Sequence, residues 1–194
     1  MLKRVFVVHG WDGFPEEGWF PWLKKELENK NFKVQVLKMP KPESPKIKTW
    51  VSFLAKSVKV ADKNTYFVGH SMGCQTILRY LESLQKYVKV GGAIFVAGWF
   101  NLTPEATEEE GTYEIAEPWL KTRINFNKVL DHTNKFTAIF SSNDPFVSDR
   151  EHKIFKSKLN AKIFLEKNKG HFSGGNNITK LPEVLNELLR ISKS

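Results

Sequence analysis

The sequence predicts an α/β fold, a mostly parallel β-sheet of about five to six strands with helices on both faces. Three observations lead to this prediction. Short β-rich runs alternate along the chain with amphipathic stretches of helical spacing. The run at residues 91–97 is apolar throughout, as a strand covered on both sides requires. The loops that carry histidine, serine and aspartate follow predicted strands, which is where such sheets bind ligands.

The predicted strands are short runs rich in valine, isoleucine and phenylalanine, bounded by turn-forming residues. They comprise residues 4–8, 32–37, 65–69, 91–97, 136–141 and 161–166. Right-handed crossovers between consecutive strands would place helices on both sides of one sheet.

The predicted helices repeat apolar residues at helical spacing. They comprise residues 17–28, 47–60, 72–85, 148–159 and 181–191. Pro21 falls in the first turn of the first helix, where its missing N–H costs little. Ser148 and Glu151 have the spacing of a capping box and predict the start of the fourth helix.

Periodicity is lost between residues 98 and 125, where bulky aromatic residues stand among polar ones. A long irregular segment inside a compact domain is usually either a functional lid or partly mobile. We therefore predict an irregular, lid-like segment over residues 98–125, within a single domain that spans residues 1–194.

The composition fits one globular domain. The chain has 194 residues, 41% of them hydrophobic, with six tryptophans and fifteen phenylalanines for a core. Its one cysteine, Cys74, cannot form an internal disulfide, which fits a reducing compartment. No run approaches the ~18 apolar residues of a membrane span. We expect a cytoplasmic protein with no membrane association.

The formal net charge of +9 raises the question of nucleic-acid binding. The excess is nearly all lysine, scattered among glutamates, and no helix-turn-helix, zinc or RNA-binding motif accompanies it. This pattern favours a solvated surface and no specific nucleic-acid partner. A basic nucleic-acid-associated protein remains the less favoured alternative.

The pentapeptide Gly-His-Ser-Met-Gly at residues 69–73 joins a predicted strand to a predicted helix. Strand, tight turn and helix around G-x-S-x-G are typical of a nucleophile elbow, whose glycines allow strand and helix to approach closely. Ser71 would then stand exposed at the end of the strand. The helix that follows would direct free N–H groups toward an oxyanion beside the serine.

Two further loops supply the partners that a serine nucleophile needs. Asp144 and His171 each follow a predicted strand, and the order Ser, Asp, His is that of an α/β-hydrolase triad. His171 would take the hydroxyl proton, and Asp144 would orient the imidazole. Other acids that could serve are Asp131, Asp149 and Glu166. The other histidines are His9, expected to bond its own loop, His70, and two expected at the surface, His132 and His152.

The end of the first strand would complete the site. The backbone N–H of Trp11, together with that of Met72, would form an oxyanion hole. The aromatic residues Trp99, Trp119 and Phe146 would line an apolar substrate pocket. The histidines lack H-x-x-x-H spacing and no phosphate-binding loop is present, so we predict neither a metal nor a cofactor.

Several short motifs, in order along nearly the whole chain, are similar to those of one family. They are His9-Gly10, residues 19–25, Met39-Pro40, residues 70–74, residues 144–146 and residues 170–172. With them the chain resembles the small α/β-hydrolases of the YdeN and retinoblastoma-binding protein nine group. The resemblance implies that Ser71, Asp144 and His171 are the triad. It also implies a reduced α/β-hydrolase fold, a three-layer sandwich without the usual first two antiparallel strands, and a place for Trp119 near the catalytic site.

The function predicted is that of a serine hydrolase that cleaves small carboxylic esters through an acyl-enzyme on Ser71. Amides and thioesters are alternative substrates for the same chemistry. The second hypothesis is a protein-interaction module that keeps the fold with little turnover. The L-x-C-x-E peptide associated with pocket-protein binding is absent around Cys74.

Overall fold

The strands of the protein form one sheet in a computed structural model that describes residues 2–108 and 110–193. Its strands are β1 (Lys3–Val8), β2 (Phe32–Leu37), β3 (Thr65–His70), β4 (Gly92–Val96), β5 (Phe136–Ser141) and β6 (Lys162–Glu166). They lie in the order β2-β1-β3-β4-β5-β6, and every described pair is parallel. The predicted α/β class is therefore confirmed.

Seven helices connect or flank these strands in the described residues. They are α1 (Phe20–Glu28), α2 (Ile47–Val58), α3 (Met72–Ser83), α4 (Thr112–Lys121), α5 (Phe126–Leu130), α6 (Arg150–Leu159) and α7 (Pro182–Lys193). Helix α3 packs beside α2 and α5, whereas α1 packs beside α7. Pro21 occupies the first turn of α1 as predicted. None of these helices is long and apolar enough to cross a membrane.

The direction of winding reverses at β1, because the chain goes from β1 outward to β2 and then returns to β3. A crevice forms beyond the carboxyl ends of the strands at such a reversal, and ligands bind there in open α/β sheets. The loop after β1 and the turn between β3 and α3 both open into this region.

The core follows from the composition of the central strands. Every residue of β3, β4 and β5 is buried, because helices cover both faces of these strands. The edge strand β2 alternates instead, with Phe32 and Val34 buried and Lys33 and Gln35 exposed. The apolar run at residues 91–97 thus has the buried position that its sequence predicts.

Two local predictions are wrong. The segment at residues 98–125 is not irregular throughout, because it contains a 3₁₀ turn at Pro104–Thr107 and helix α4. Helix α6 has no side-chain cap. The Glu151 carboxylate reaches across to the chain after β4 instead of forming the predicted capping box.

Candidate active site

Ser71 lies between the end of β3 and the start of α3 in a backbone conformation that side chains rarely adopt. Its φ is 52° and its ψ is −121°, which costs roughly 1–3 kcal/mol and persists only where the surroundings impose it. The Ser71 N–H donates to Val96 O at 2.9 Å, and the Ser71 carbonyl accepts from Cys74 N at 3.0 Å. These bonds fix the turn, so the predicted strand–turn–helix around Ser71 is present.

The two glycines of the pentapeptide are required by close backbone contacts. A Cβ at Gly73 would lie 2.2 Å from Val8 O, so α3 begins directly against the end of β1. A Cβ at Gly69 would lie 2.8 Å from Cys74 N. A side chain at either position would force β3, α3 and β1 apart, and with them the serine turn.

His171 and Asp144 are paired. The Nδ1–H of His171 donates to the Asp144 carboxylate, with Nδ1 3.0 Å from Oδ1 and 2.9 Å from Oδ2. Asp144 Oδ1 also accepts from the backbone N–H groups of Phe146 and Val147. The carboxylate is 2% exposed and the imidazole 13%. This pairing orients the imidazole ring and leaves its Nε2 without a hydrogen-bond partner among the described residues.

The other candidate acids are not bonded to this imidazole. In the described part of the chain, His171 makes no hydrogen bond or ion pair with Asp131, Asp149 or Glu166. Asp144 is therefore the acidic side chain that orients His171.

Two histidines near the site, His9 and His70, are buried and hydrogen-bonded to the backbone of neighbouring loops. His70 donates its Nε2–H to the carbonyl oxygen of His171 at 2.7 Å, and burial lowers its pKa to about 3. His9 donates its Nδ1–H to Gly10 O and accepts Met39 N–H at Nε2, and burial lowers its pKa as well. Both rings hold loops in place, and a histidine that is hard to protonate is a poor general base.

The remaining histidines lie away from the serine. His132 is buried and its Nδ1 bonds Val88 O, so the prediction of a surface position is wrong. His152 packs against Phe140 with the ring planes tilted by 40° and the centroids 4.3 Å apart.

Ser71 and His171 share a cavity of about 370 Å³. Its wall residues include the predicted pocket residues Trp99 and Phe146, but not Trp119. Trp119 is buried elsewhere, with its indole N–H on Pro45 O and its ring edge-on to Trp50.

The charge of the cavity is opposite to that of the whole chain. Asp12, Glu17 and Glu105 line it, and no lysine or arginine of the described residues does. Glu17 also ties two loops together, because its Oε1 accepts the Gly174 N–H at 3.2 Å. The sequence, with its net charge of +9, gave no sign of an acidic cavity.

Two backbone N–H groups at the cavity wall have no acceptor among the described residues. They belong to Trp11, after β1, and Met72, the first residue of α3. The positive end of the α3 dipole adds to the attraction for an anion at this point. These are the two donors that the sequence predicts for an oxyanion hole.

The Ser71 hydroxyl has one hydrogen-bond partner in the described residues, the indole N–H of Trp99 at 3.3 Å. Among the described residues, no hydrogen bond joins this hydroxyl to His171. The His171 ring packs against His70 and Phe146, with a centroid distance of 5.1 Å to each. Catalytic hydrogen bonds are often long in enzymes without substrate and shorten when substrate binds.

Glu151 and Asn176 shape the site, although the sequence predicts a part in it for neither. The fully buried Glu151 carboxylate accepts from the N–H groups of Phe100 and Asn101, and burial raises its pKa. Asn176 Oδ1 accepts from the His171 N–H at 3.0 Å. A signal existed in the case of Asn176, since an asparagine beside glycines often bonds a neighbouring backbone.

No group of three or more His, Cys, Asp or Glu side chains in the described part of the chain could hold a metal ion. Cys74 is buried, which raises the pKa of its thiol and leaves it unreactive.

Comparison with known proteins gives concordant matches. The model of the serine hydrolase family matches residues 5–190. Putative hydrolase YdeN of Bacillus subtilis is 30% identical over 188 residues, which cover 97% of this chain and 95% of that protein. Serine hydrolase RBBP9 of Rattus norvegicus is 28% identical over 194 residues, which cover 99% and 94%.

Solved structures agree in fold. The crystal structure of the ydeN gene product from B. subtilis superposes with a TM-score of 0.90 at 29% identity, covering 99% of this chain and 100% of that one. Est1E from Butyrivibrio proteoclasticus gives a TM-score of 0.74 at 13% identity, covering 100% and 89%.

The contact at Gly73 predicts a stability loss. Gly73→Ala would place a methyl group against Val8 O and should lower the melting temperature by roughly 3–10 °C, from a cost of about 1–3 kcal/mol. Gly175→Ala is the matched control, because its Cβ would meet nothing closer than 3.6 Å. Equal melting temperatures for the two variants, measured by circular dichroism, would contradict this account of the turn.

Proposed function

The chain belongs to the serine hydrolase family, and we propose that within it this protein cleaves small carboxylic esters through an acyl-enzyme formed on Ser71. The observation that carries the proposal is the strained Ser71 turn in the same cavity as an imidazole already paired to a buried carboxylate. Esters are the preferred substrates because an alcohol leaves more readily than an amine. Amides and thioesters would follow the same route.

The proposed catalytic role of each side chain follows from the hydrogen bonds that its atoms already make. His171 Nδ1 is bonded to Asp144, so Nε2 is the atom that takes the Ser71 proton as Oγ attacks the carbonyl carbon. The same proton then goes to the departing alcohol. Water next attacks the acyl-enzyme with His171 again as base, and Ser71 leaves as the free hydroxyl. Asp144 stabilises the imidazolium in both halves of the cycle.

The tetrahedral intermediates need donors for the oxygen that was the carbonyl. The N–H groups of Trp11 and Met72 supply them, aided by the N-terminal end of α3. These N–H groups stabilise the negative oxygen by hydrogen bonding and do not transfer a proton to it, so they only have to be in position when the charge develops. The cavity of about 370 Å³, with Trp99 and Phe146 in its wall, suits a compact apolar acyl group.

Removal of the proposed nucleophile should abolish turnover. Ser71→Ala is expected to lower kcat for p-nitrophenyl butyrate by at least ~10³-fold. Ser57→Ala is the control, because its hydroxyl bonds Phe53 O on α2, away from the cavity. Ester hydrolysis by Ser71→Ala at the wild-type rate would refute the proposal.

The acidic cavity predicts charge selectivity. Acetylthiocholine and 3,3-dimethylbutyl thioacetate have the same shape but differ by one positive charge. We expect kcat/KM for the cation to be about 5-fold higher at low salt, and the ratio to fall as salt rises. Thiol release reports both reactions.

Substitution tests the source of this selectivity. Glu17→Gln combined with Glu105→Gln should remove most of the preference, whereas Glu16→Gln, at an exposed residue outside the cavity wall, should leave it intact. A wild-type enzyme that hydrolyses both thioesters equally at low salt would show that these carboxylates do not act on the substrate.

A further inference from the structure

We infer that Trp99 is a catalytic residue whose indole N–H donates to Ser71 Oγ and stabilises the negative charge that develops on that oxygen during acyl transfer. The inference rests on the proposed function, because it requires Ser71 to be the nucleophile. It adds a donor to the attacking and leaving oxygen, distinct from the donors that hold the substrate carbonyl.

The contact is specific to this tryptophan. Trp99 is 2% exposed, and its Nε1–H meets Ser71 Oγ at 3.3 Å. The similarly buried Trp19, Trp50 and Trp119 donate their indole N–H groups to backbone carbonyl oxygens. An indole has a single donor and no acceptor, so Trp99 directs its entire hydrogen-bonding capacity at the hydroxyl of the proposed nucleophile.

The backbone around Trp99 is held rigidly. Ala97, two residues before it, has a φ of 48°, and a Cβ at Gly98 would lie 2.6 Å from the Phe155 ring. On the other side, the buried Glu151 carboxylate accepts from Phe100 N at 2.7 Å and from Asn101 N at 3.1 Å. The backbone is therefore held both before and after Trp99, and this holds the indole in place. An N–H that is already in place needs no reorganisation when charge develops.

This N–H would stabilise charge on Oγ in both halves of the catalytic cycle, acylation and deacylation. As Oγ attacks, its proton passes to His171 Nε2 while an Oγ lone pair forms the bond to carbon and the carbonyl π pair moves onto oxygen. When the acyl-enzyme breaks down, the carbon–Oγ bond pair returns to Oγ, which regains a proton from His171. Oγ carries partial negative charge in both transition states, and a buried donor stabilises it there.

The test removes the N–H and keeps an aromatic ring. Trp99→Phe should lower kcat/KM for p-nitrophenyl acetate by about 10- to 100-fold, the range for a hydrogen bond to a charged group. It should lower the rate of inactivation by methanesulfonyl fluoride to a similar extent, since that reaction reports attack by Oγ without an ester leaving group. Trp119→Phe makes the same change at a buried indole bonded to Pro45 O, and should stay within about 2-fold of wild type.

A second replacement separates the N–H from the shape of the ring. Site-specific incorporation of 3-benzothienylalanine at position 99 puts sulfur in place of the N–H group and preserves the bicyclic ring. We expect both rates to fall as they do in Trp99→Phe, with an unchanged melting temperature. Wild-type rates in the benzothienyl protein would overturn the inference, and this result would decide the matter even if Trp99→Phe failed to fold.

The two proposals fail in different ways. If Ser71→Ala retains hydrolysis and sulfonylation, the nucleophile assignment is wrong and the role of Trp99 falls with it. If Ser71→Ala is inactive while both Trp99 replacements react at wild-type rates, Ser71 remains the nucleophile and only the donor role of Trp99 is refuted.

Discussion

The structure of the site depends on one close contact, the start of α3 against the carboxyl end of β1. The missing Cβ of Gly73 leaves room for Val8 O, which would otherwise be 2.2 Å away. This contact brings the N–H groups of Met72 and of the loop after β1 to the wall of one cavity. It also allows Ser71 to take its strained conformation at the point where the dipole of α3 is most positive. The strain of the turn is offset by the packing of central strands that are buried on both faces.

Around this contact, buried polar side chains fix the loops on which the proposed chemistry depends. His70 holds the carbonyl of His171, and Glu151 holds the backbone after Trp99. Burial affects both groups in the expected direction, lowering the pKa of His70 and raising that of Glu151. Each of these buried groups is hydrogen-bonded to the backbone of a loop at the cavity, and these bonds restrain the loops in the positions that form it.

Much of this could be predicted from the sequence, because the informative signals were local. Parallel strands buried on both faces have apolar runs, and the candidate nucleophile and acid each follow such a strand, β3 and β5. The candidate base, His171, follows the edge strand β6, whose residues are partly buried or exposed. The errors concern contacts between residues far apart in the chain. Glu151 fits a capping box locally, yet its carboxylate bonds Asn101, 50 residues away. Trp119 and His132 are buried by neighbours that no local pattern reveals. Helix α4 was not predicted because it is short and because Gly111 at its start and Pro118 inside it are residues typical of turns.

If Ser71 is the nucleophile of a serine hydrolase, a reagent that reacts with activated serines should trap it covalently. The wild-type protein would be treated with a fluorophosphonate, digested and mapped by mass spectrometry. We expect one adduct per chain, located on Ser71, and no adduct when the protein is unfolded before treatment, because activation of the hydroxyl requires the folded site. An adduct on another residue, or no adduct on the folded protein, would contradict it.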